Sequence, residues 1–299
     1  MAMVVIIFLV VFLALFVTGY MVHQLRQQPS VSVSFQDKLR LLGSGMVAFI
    51  ADTLGLGSFA VNITLAKILG TFSDEELPAM NNGAQLVPGA IESLFFMQYV
   101  AVDLTTLVVL VSGACLGGLL GGGVVSRLGK QAIRVAMIAA FAFIICLLVS
   151  DQMGLLPVGG TATALHSWKL LIGFLAVMIC GALTSVGVGL FAMVQAVLFI
   201  LSVSPLVAFP IMMTAGAMQQ PLTTFMFLRN AKQMPIKRIL ILSLGGCIGV
   251  AITLPIFHYL TVSWLHDLLI FLLCFNIVAI AKTYFKTRLA DRTPMAAEA

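Results

Sequence analysis

The chain has 299 residues, of which 61% are hydrophobic and only 9% are charged, and its mean hydropathy is +1.13. Soluble domains carry roughly a quarter of their residues as charged side chains, so the composition excludes an ordinary soluble domain and predicts an all-α polytopic membrane protein. The formal net charge of +5 therefore reports on orientation in the membrane, and the expected partner is a lipid bilayer and no nucleic acid.

Orientation follows from the positions of the basic residues. Fourteen of the 16 Lys and Arg lie in four clusters, at residues 23–40, 127–134, 229–238 and 282–292. Cytoplasmic loops carry the excess of Lys and Arg, so all four clusters are predicted on the cytoplasmic side. Residues 2–20 lack the preceding positive charge of a signal peptide. They are predicted to form a retained first span with the N-terminus outside, and the C-terminus is predicted in the cytoplasm.

The next two apolar segments are too short to cross a bilayer. Residues 43–54 and 56–70 would form helices of about 18 and 22 Å, whereas the hydrocarbon core is about 30 Å thick. An even number of crossings must separate the clusters at 23–40 and 127–134, and a hairpin that dips to mid-membrane and returns satisfies this parity. Residues 168–203 are predicted to form a second hairpin from the outside, although their long arms also fit a broken full span. The prediction is about seven transmembrane helices plus two re-entrant helical hairpins.

The two hairpins belong to an internal repeat. Shifting the chain against itself by 132 residues aligns residues 45–120 with 14 identities and no gap. The matched positions include Gly55/Gly187, Gly57/Gly189, Phe59/Phe191, Pro78/Pro210, Gly113/Gly245 and Gly117/Gly249. Because the two copies start on opposite sides of the membrane, an inverted-topology repeat is predicted. The predicted organisation is a first span with its cytoplasmic loop (1–40), two repeat units (41–130 and 167–260), a linking span with an outer loop (131–166) and a last span with its tail (261–299).

The paired glycines mark the tips of the hairpins. Glycine permits a tight turn, and non-helical backbone at mid-membrane is tolerated where it is buried in protein or lines a wet cavity. Each tip starts a half-helix whose unpaired N–H groups and positive dipole end face the cavity. Two such ends meeting at the midplane predict an anion-binding site built from Gly55, Gly57, Gly187 and Gly189.

Polar side chains beside the tips are the predicted substrate ligands, and they are Asp52, Thr53, Ser58, Thr184 and Ser185. An ionisable residue inside the membrane is a functional candidate by default, so Asp52 is also a candidate for ion coupling. The alternative is that Asp52 stabilises the turn as a cap or hydrogen-bond acceptor. An ionised Asp52 would repel a bound anion, which favours a protonated Asp52 or a role in proton coupling.

The segments PAMNNGAQLVP (78–88) and PIMMTAGAMQQP (210–221) open the span after each hairpin, and Pro88 and Pro221 predict kinks that free backbone carbonyls. At least one amide in each segment is expected to face the cavity. The candidates are Asn81, Asn82, Gln85, Gln219 and Gln220. Glu92 lies on nearly the same helix face as Gln85 and is a second coupling candidate, or else it pairs with a base such as Lys67.

A glycine stripe offers a surface for close helix packing. Gly113, Gly117 and Gly121 recur every four residues, the spacing that lets membrane helices approach closely. This face could pack within one protomer or between the two protomers of a homodimer. The five cysteines have no metal-ligand spacing, and no HExxH or GxSxG motif or His/Cys cluster occurs. No metal, no other cofactor and no enzymatic activity are therefore expected.

Three segments carry a resemblance to a known family. GALTSVGVGLFAMVQAVLFILSVSPLVAFPIMMTAGAMQQP (181–221), DTLGLGSFA (52–60) and LSLGGCIGV (242–250) resemble the TauE/SafE sulfite-exporter family (TSUP), and the resemblance covers roughly residues 40–282. It implies a bacterial inner-membrane permease for sulfur-containing anions such as sulfite, thiosulfate or organosulfonates, driven by an ion gradient. Many members have glycine runs at the tips where this chain has GLG and GVG, so the exact substrate stays open.

The sequence thus predicts a secondary transporter of a small anion, working by alternating access around a midplane site. A coupling proton or other ion is expected, because no ATPase motif is present. An anion channel and a transporter of a different small organic anion are the alternatives.

Overall fold

The computed structural model describes residues 2–27, 32–99, 102–155, 160–230, 234–255 and 265–292. They form twelve helices: α1 (Ala2–Gln27), α2 (Phe35–Thr53), α3 (Ser58–Leu69), α4 (Leu77–Ala84), α5 (Leu86–Tyr99), α6 (Leu104–Val125), α7 (Lys130–Gln152), α8 (Ser167–Thr184), α9 (Leu190–Ile200), α10 (Pro205–Asn230), α11 (Ile236–Thr253) and α12 (Leu265–Arg292). Apart from one isolated bridge between Ala162 and Val203, these residues contain no β-structure. The predicted all-α class is confirmed.

Five of the described helices are long and apolar enough to cross a membrane. They are α1 over Met3–Gln27, α6, α7, α8 and α11. Large apolar side chains on these helices are exposed, among them Phe8, Leu120 and Leu171. Soluble monomers rarely expose apolar surface on this scale, whereas a bilayer solvates it. The helices therefore indicate a multi-pass membrane protein.

Two helical hairpins lie at the positions that the sequence predicts. The turn between α2 and α3 spans residues 54–57, and the turn between α8 and α9 spans residues 185–189, so each contains a glycine pair. α2 begins at Phe35, earlier than its apolar segment, because the Ser34 hydroxyl accepts a hydrogen bond from the Asp37 backbone N–H at 3.0 Å and caps the helix.

The span after each hairpin begins differently in the two repeats. In the first repeat, a short helix, α4 (Leu77–Ala84), precedes α5 (Leu86–Tyr99), and Gln85 separates the two. In the second repeat, α10 continues through Pro210 and Pro221 as one helix of 26 residues. Most of α10 is buried against α5, α6 and their neighbours, and this packing outweighs the cost of the two prolines.

Glycines on α6 and α11 set the closest helix contacts. At four of them, a Cβ atom would overlap a backbone carbonyl oxygen of the facing helix, α8 or α2. The pairs are Gly113–Phe174, Gly117–Met178, Gly245–Leu42 and Gly249–Met46. Adding 132 to the residue number of each α6 glycine, and subtracting 132 from that of its α8 partner, gives the residue numbers of the α11–α2 pairs. The contacts thus repeat with the offset of the sequence repeat, the paired helices run parallel, and the glycine stripe packs within one protomer.

Ion pairs tie one end of the molecule around the loop between α3 and α4. Asp74 pairs with Lys67 of α3 and with Arg134 Nε of α7, the latter at 2.7 Å. Glu76 pairs with Arg238 Nη2 of α11 at 2.7 Å. The starts of α7 and α11 carry two of the predicted cytoplasmic clusters, so these clusters lie at one end together with the end of α3.

At the opposite end of the molecule, the start of α6 contacts the segment before α8, and this segment contacts the residues after α9. The Asp103 carboxylate accepts a hydrogen bond from the Thr106 backbone N–H at 2.7 Å, which lowers the pKa of Asp103. Thr106 Oγ1 accepts a hydrogen bond from the Leu165 backbone N–H at 2.9 Å, just before α8. The bridge between Ala162 and Val203 ties the same segment to the residues after α9. The second hairpin therefore begins and ends at this end of the structure.

Candidate functional site

The two hairpin turns meet in the interior but differ in backbone conformation. Gly55, Gly57 and Gly187 have φ angles of +93°, +86° and +99°, a left-handed region that costs L residues about 1–2 kcal/mol. Gly189 has a φ of −62°, which any residue can adopt. Gly57 and Gly189 line the same two cavities, so the glycine turns of both repeats converge.

Asp52 lies at the end of α2 and binds the start of α3. Its Oδ1 accepts a hydrogen bond from the Ser58 backbone N–H at 2.6 Å, and its Oδ2 accepts one from Gln85 Nε2. Ser58 Oγ donates to Gln85 Oε1 at 2.7 Å, which closes a ring of three residues. The protein's own carboxyl group therefore occupies the positive N-terminus of α3, where the sequence predicted a bound anion.

Glu92 is fully buried on α5, beside Asp52. Its Oε1 lies 2.7 Å from Thr53 Oγ1, and that hydroxyl also lies 2.9 Å from the Phe49 carbonyl oxygen. Glu92 and Asp52 line the same cavity. Glu92 Oε2 has no hydrogen-bond partner among the described residues.

The alternative ion pair between Glu92 and Lys67 is wrong. Lys67 lies near the end of α3 and pairs with Asp74, whereas Glu92 bonds to Thr53. The intramembrane acids therefore stand apart from the ion pairs at the end of the molecule.

A small cavity between the two turns collects polar side chains from both repeats. Its lining includes Asp52, Ser58, Gln85 and Glu92 from the first repeat, Gln220 from the second, and the turn residues Gly57 and Gly189. Within the part of the chain that the structure describes, no Lys, Arg or His lines this cavity. The space accommodates about one water molecule, so a larger ligand would require the site to widen.

Several predicted ligands brace the turns and line neither cavity between them. They are Thr53, Asn81, Asn82, Thr184, Ser185, Gly187 and Gln219. Asn81 Nδ2 donates to the Gly187 carbonyl oxygen, and Asn82 Nδ2 donates to the Thr184 carbonyl oxygen, both at 3.2 Å. The start of the first repeat's span thereby holds the turn of the second repeat in place.

Hydroxyl groups and an amide hold the second turn from its other side. Ser185 Oγ lies 3.3 Å from the Gly118 carbonyl oxygen, and Thr223 Oγ1 donates to the same oxygen at 3.0 Å. Gln219 Nε2 donates to Thr223 Oγ1 at 2.6 Å. Thr184, the repeat equivalent of Asp52, donates its hydroxyl to its own helix at the Cys180 carbonyl oxygen, 2.9 Å away.

A second, mostly apolar cavity lies against the first. Gly55, which lines only this second cavity, is joined there by Gln195 of α9. Phe59 and Phe191 line both cavities and stand between them. The repeat alignment pairs these two phenylalanines, but nothing in the sequence assigned them a role; their identity at equivalent positions beside the tips was the available signal.

The described residues contain no group of three or more His, Cys, Asp or Glu side chains placed to hold a metal ion. Comparison of the chain with protein-family models, with curated proteins and with solved structures finds no match. The resemblance to the TauE/SafE family therefore remains a prediction from the quoted segments.

Proposed function

We propose that the protein is a secondary transporter of small sulfur-containing anions, such as sulfite, thiosulfate or organosulfonates, in a bacterial cytoplasmic membrane. It has seven crossings, an outer N-terminus and a cytoplasmic C-terminus, and its two hairpins re-enter the membrane from opposite sides. The observation that carries the proposal is the buried polar cavity shared by the two glycine turns. Alternating access then consists of movement of the two repeats about this cavity.

The helix directions support re-entry of both hairpins. α2 runs parallel to α11, and α3 ends at a loop whose Glu76 pairs with Arg238 near the start of α11. The first hairpin thus enters and leaves at the end that carries basic clusters. The second hairpin begins and ends near the start of α6, at the other end. This arrangement is the one that an inverted repeat requires.

The two helix N-termini at the cavity differ in whether a side chain of the protein already occupies them. The N-terminus of α3 is occupied by Asp52, whereas Gly189 leaves the N-terminus of α9 without a side-chain cap. We place the anion at the start of α9, where the backbone N–H groups and the positive dipole end are open to the cavity. The Gln220 amide lies on the same cavity and can contribute a further donor.

The substrate test uses the purified full-length protein in detergent. Its melting temperature is measured with sulfite, thiosulfate, sulfoacetate, taurine, sulfate and, as a control, chloride, because a ligand of the folded state raises apparent stability. We expect selective stabilisation by one sulfur-containing anion, lost in Gly189→Val, whose side chain fills the cavity. The matched control is Gly19→Val on α1, where an added Cβ meets nothing within 4 Å. Equal responses to all anions, chloride included, or no response would overturn the substrate class.

Counterflow in proteoliposomes separates a carrier from a channel. Unlabelled anion trapped inside accelerates accumulation of external labelled anion only when one site alternates between the two sides. We expect counterflow with the anion that stabilises the protein. Rapid equilibration that ignores the trapped anion would favour the channel, and counterflow of a sulfur-free carboxylate would favour the other organic anion.

A further inference from the structure

We propose that the Asp52–Glu92 pair is a proton-binding site in which Glu92 carries the proton. The proposal deepens the proposed function, because it names the ion that would couple to anion movement. Proton binding at this pair follows from burial and hydrogen bonding and does not depend on which anion is carried.

The hydrogen bonds at Thr53 leave a place for a hydrogen from Glu92. Thr53 Oγ1 lies within hydrogen-bond distance of two acceptors, the Phe49 carbonyl oxygen at 2.9 Å and Glu92 Oε1 at 2.7 Å. A hydroxyl group has one hydrogen but two acceptor lone pairs. If Thr53 donates to Phe49, the bond to Glu92 forms only when the Glu92 carboxyl is the donor.

The surroundings of Glu92 also disfavour its charge. Its side chain is fully buried, and Oε2 has no partner among the residues that the structure describes. An ionised carboxylate in such a site keeps an unsatisfied, desolvated oxygen, whereas the neutral acid avoids burying a charge. Asp52 differs, because both of its oxygens accept hydrogen bonds, one from the N-terminus of α3. Glu92 can therefore be the neutral acid of the pair, while Asp52 is the charged hydrogen-bond acceptor.

Among the described residues, the groups that face Glu92 offer no counter-charge. The neighbouring titratable groups are Asp52 on α2 and the Cys247 thiol on α11. α4 contains no titratable side chain, and the α10 residues at the cavity are Met212, Met213, Gly216, Ala217 and Gln220. On α1, the titratable groups are Tyr20, His23 and Arg26. They lie in the C-terminal part of α1, which packs on Phe225 and Leu228 near the end of α10.

The second repeat cannot duplicate this site. The equivalents of Asp52 and Glu92, offset by 132 residues, are Thr184 and Thr224, and both are fully buried. Hydroxyl groups do not take up a proton in the accessible pH range, so only the first repeat binds one. The structural repeat thus has a chemical asymmetry, with the acids beside α3 and an uncapped helix N-terminus at α9.

The test measures stability against pH without any substrate. The melting temperatures of purified wild-type protein, Glu92→Gln and Glu75→Gln are compared from about pH 5 to about pH 8, in sodium and in choline salts. Stability falls with rising pH wherever the native state binds more protons than the unfolded state. We expect the wild type to lose about 5 °C or more relative to Glu92→Gln across this range. The Glu75→Gln difference should stay nearly constant, because Glu75 forms a partly exposed ion pair with Lys130.

Infrared spectroscopy of the wild type provides a second measurement that does not depend on a variant folding. We expect a carboxylic-acid carbonyl band near neutral pH that persists in Asp52→Asn and disappears in Glu92→Gln. Parallel melting curves for wild type and Glu92→Gln, or no acid band, would overturn the proposal. Stabilisation by sodium that Glu92→Gln abolishes would also overturn it, in favour of a sodium site. Because no anion is added, this result stands or falls separately from the substrate test.

Discussion

Asp52 and Glu92 lie in one buried cavity, yet their hydrogen bonding gives them different chemistry. Asp52 accepts from the Ser58 backbone N–H and from Gln85, so its carboxyl is a structural part of the turn as well as a cavity wall. Glu92 has one oxygen near Thr53 and one without a described partner. Both alternatives that the sequence left open for Asp52, a cap and an ionisable site residue, are therefore compatible with its position.

The tip glycines that align in the repeat have different steric requirements. Gly57 has a φ of +86°, and Gly189 has a φ of −62° with only the Phe59 Cβ, at 3.8 Å, near an added methyl group. We expect Gly57→Ala to destabilise the protein by about 1–2 kcal/mol, and Gly189→Ala to change stability by less than about 0.5 kcal/mol. Thermal unfolding of both variants in detergent measures the difference. Equal destabilisation by the two substitutions would contradict the turn geometry.

At the scale of helices, the tightest packing is between α6 and α8 and between α11 and α2. At Gly117 and Gly249 an added methyl group would overlap a carbonyl oxygen of the facing helix, so no side chain can rotate away to make room. The sequence pattern of small residues every four positions predicted close packing, but the pattern named no partner. The structure supplies that partner within the same chain.

Alanine at either position should therefore separate a helix pair. We expect Gly117→Ala and Gly249→Ala each to cost about 1–3 kcal/mol through overpacking. Gly43→Ala on α2 is the matched control, since its added methyl group meets nothing within 4 Å and replacing glycine inside a helix stabilises by about 0.5–1 kcal/mol. Melting temperatures of the three variants test the expectation, and a stable Gly117→Ala would show that the α6–α8 contact is looser than described.

At the scale of the whole molecule, the ends of the two hairpins lie at opposite ends of the structure. Asp74 and Glu76, after the first hairpin, pair with bases at the starts of α7 and α11. Residue 203, after the second hairpin, bridges to residue 162 near the start of α8. α8 is nevertheless long enough to cross a membrane by itself, so a measurement of sidedness decides between a re-entrant hairpin and a broken span.

Single cysteines placed after each hairpin make that measurement. In a background without the five native cysteines, Ser73→Cys and Ser202→Cys are labelled in oriented membranes with an impermeant maleimide; both positions are exposed. We expect labelling of Ser73→Cys from the cytoplasmic side only and of Ser202→Cys from the outer side only. Labelling of both positions from one side would rule out hairpins that re-enter from opposite sides.

Part of the candidate site was predictable, because the local sequence determines where the backbone turns but not which helix faces meet. A glycine pair after an apolar run, repeated at a fixed offset, locates both turns because backbone conformation depends on local residue type. Gln85 and Gln220 face the cavity while Asn81, Asn82 and Gln219 brace the turns. Sequence could not separate these amides, since the difference depends on which neighbour each helix face meets.

The sequence by itself determined the all-α class, the membrane environment, the positions of the two turns and the 132-residue repeat, because hydropathy, glycine and charge act locally along the chain. Only the tertiary structure decided that Asp52 occupies the N-terminus of α3, that Lys67 pairs with Asp74, and that Glu92 lies beside Thr53 with one oxygen unpaired. These contacts join residues on different helices, and the partner of a buried polar group is fixed by how helices pack, which no local pattern specifies.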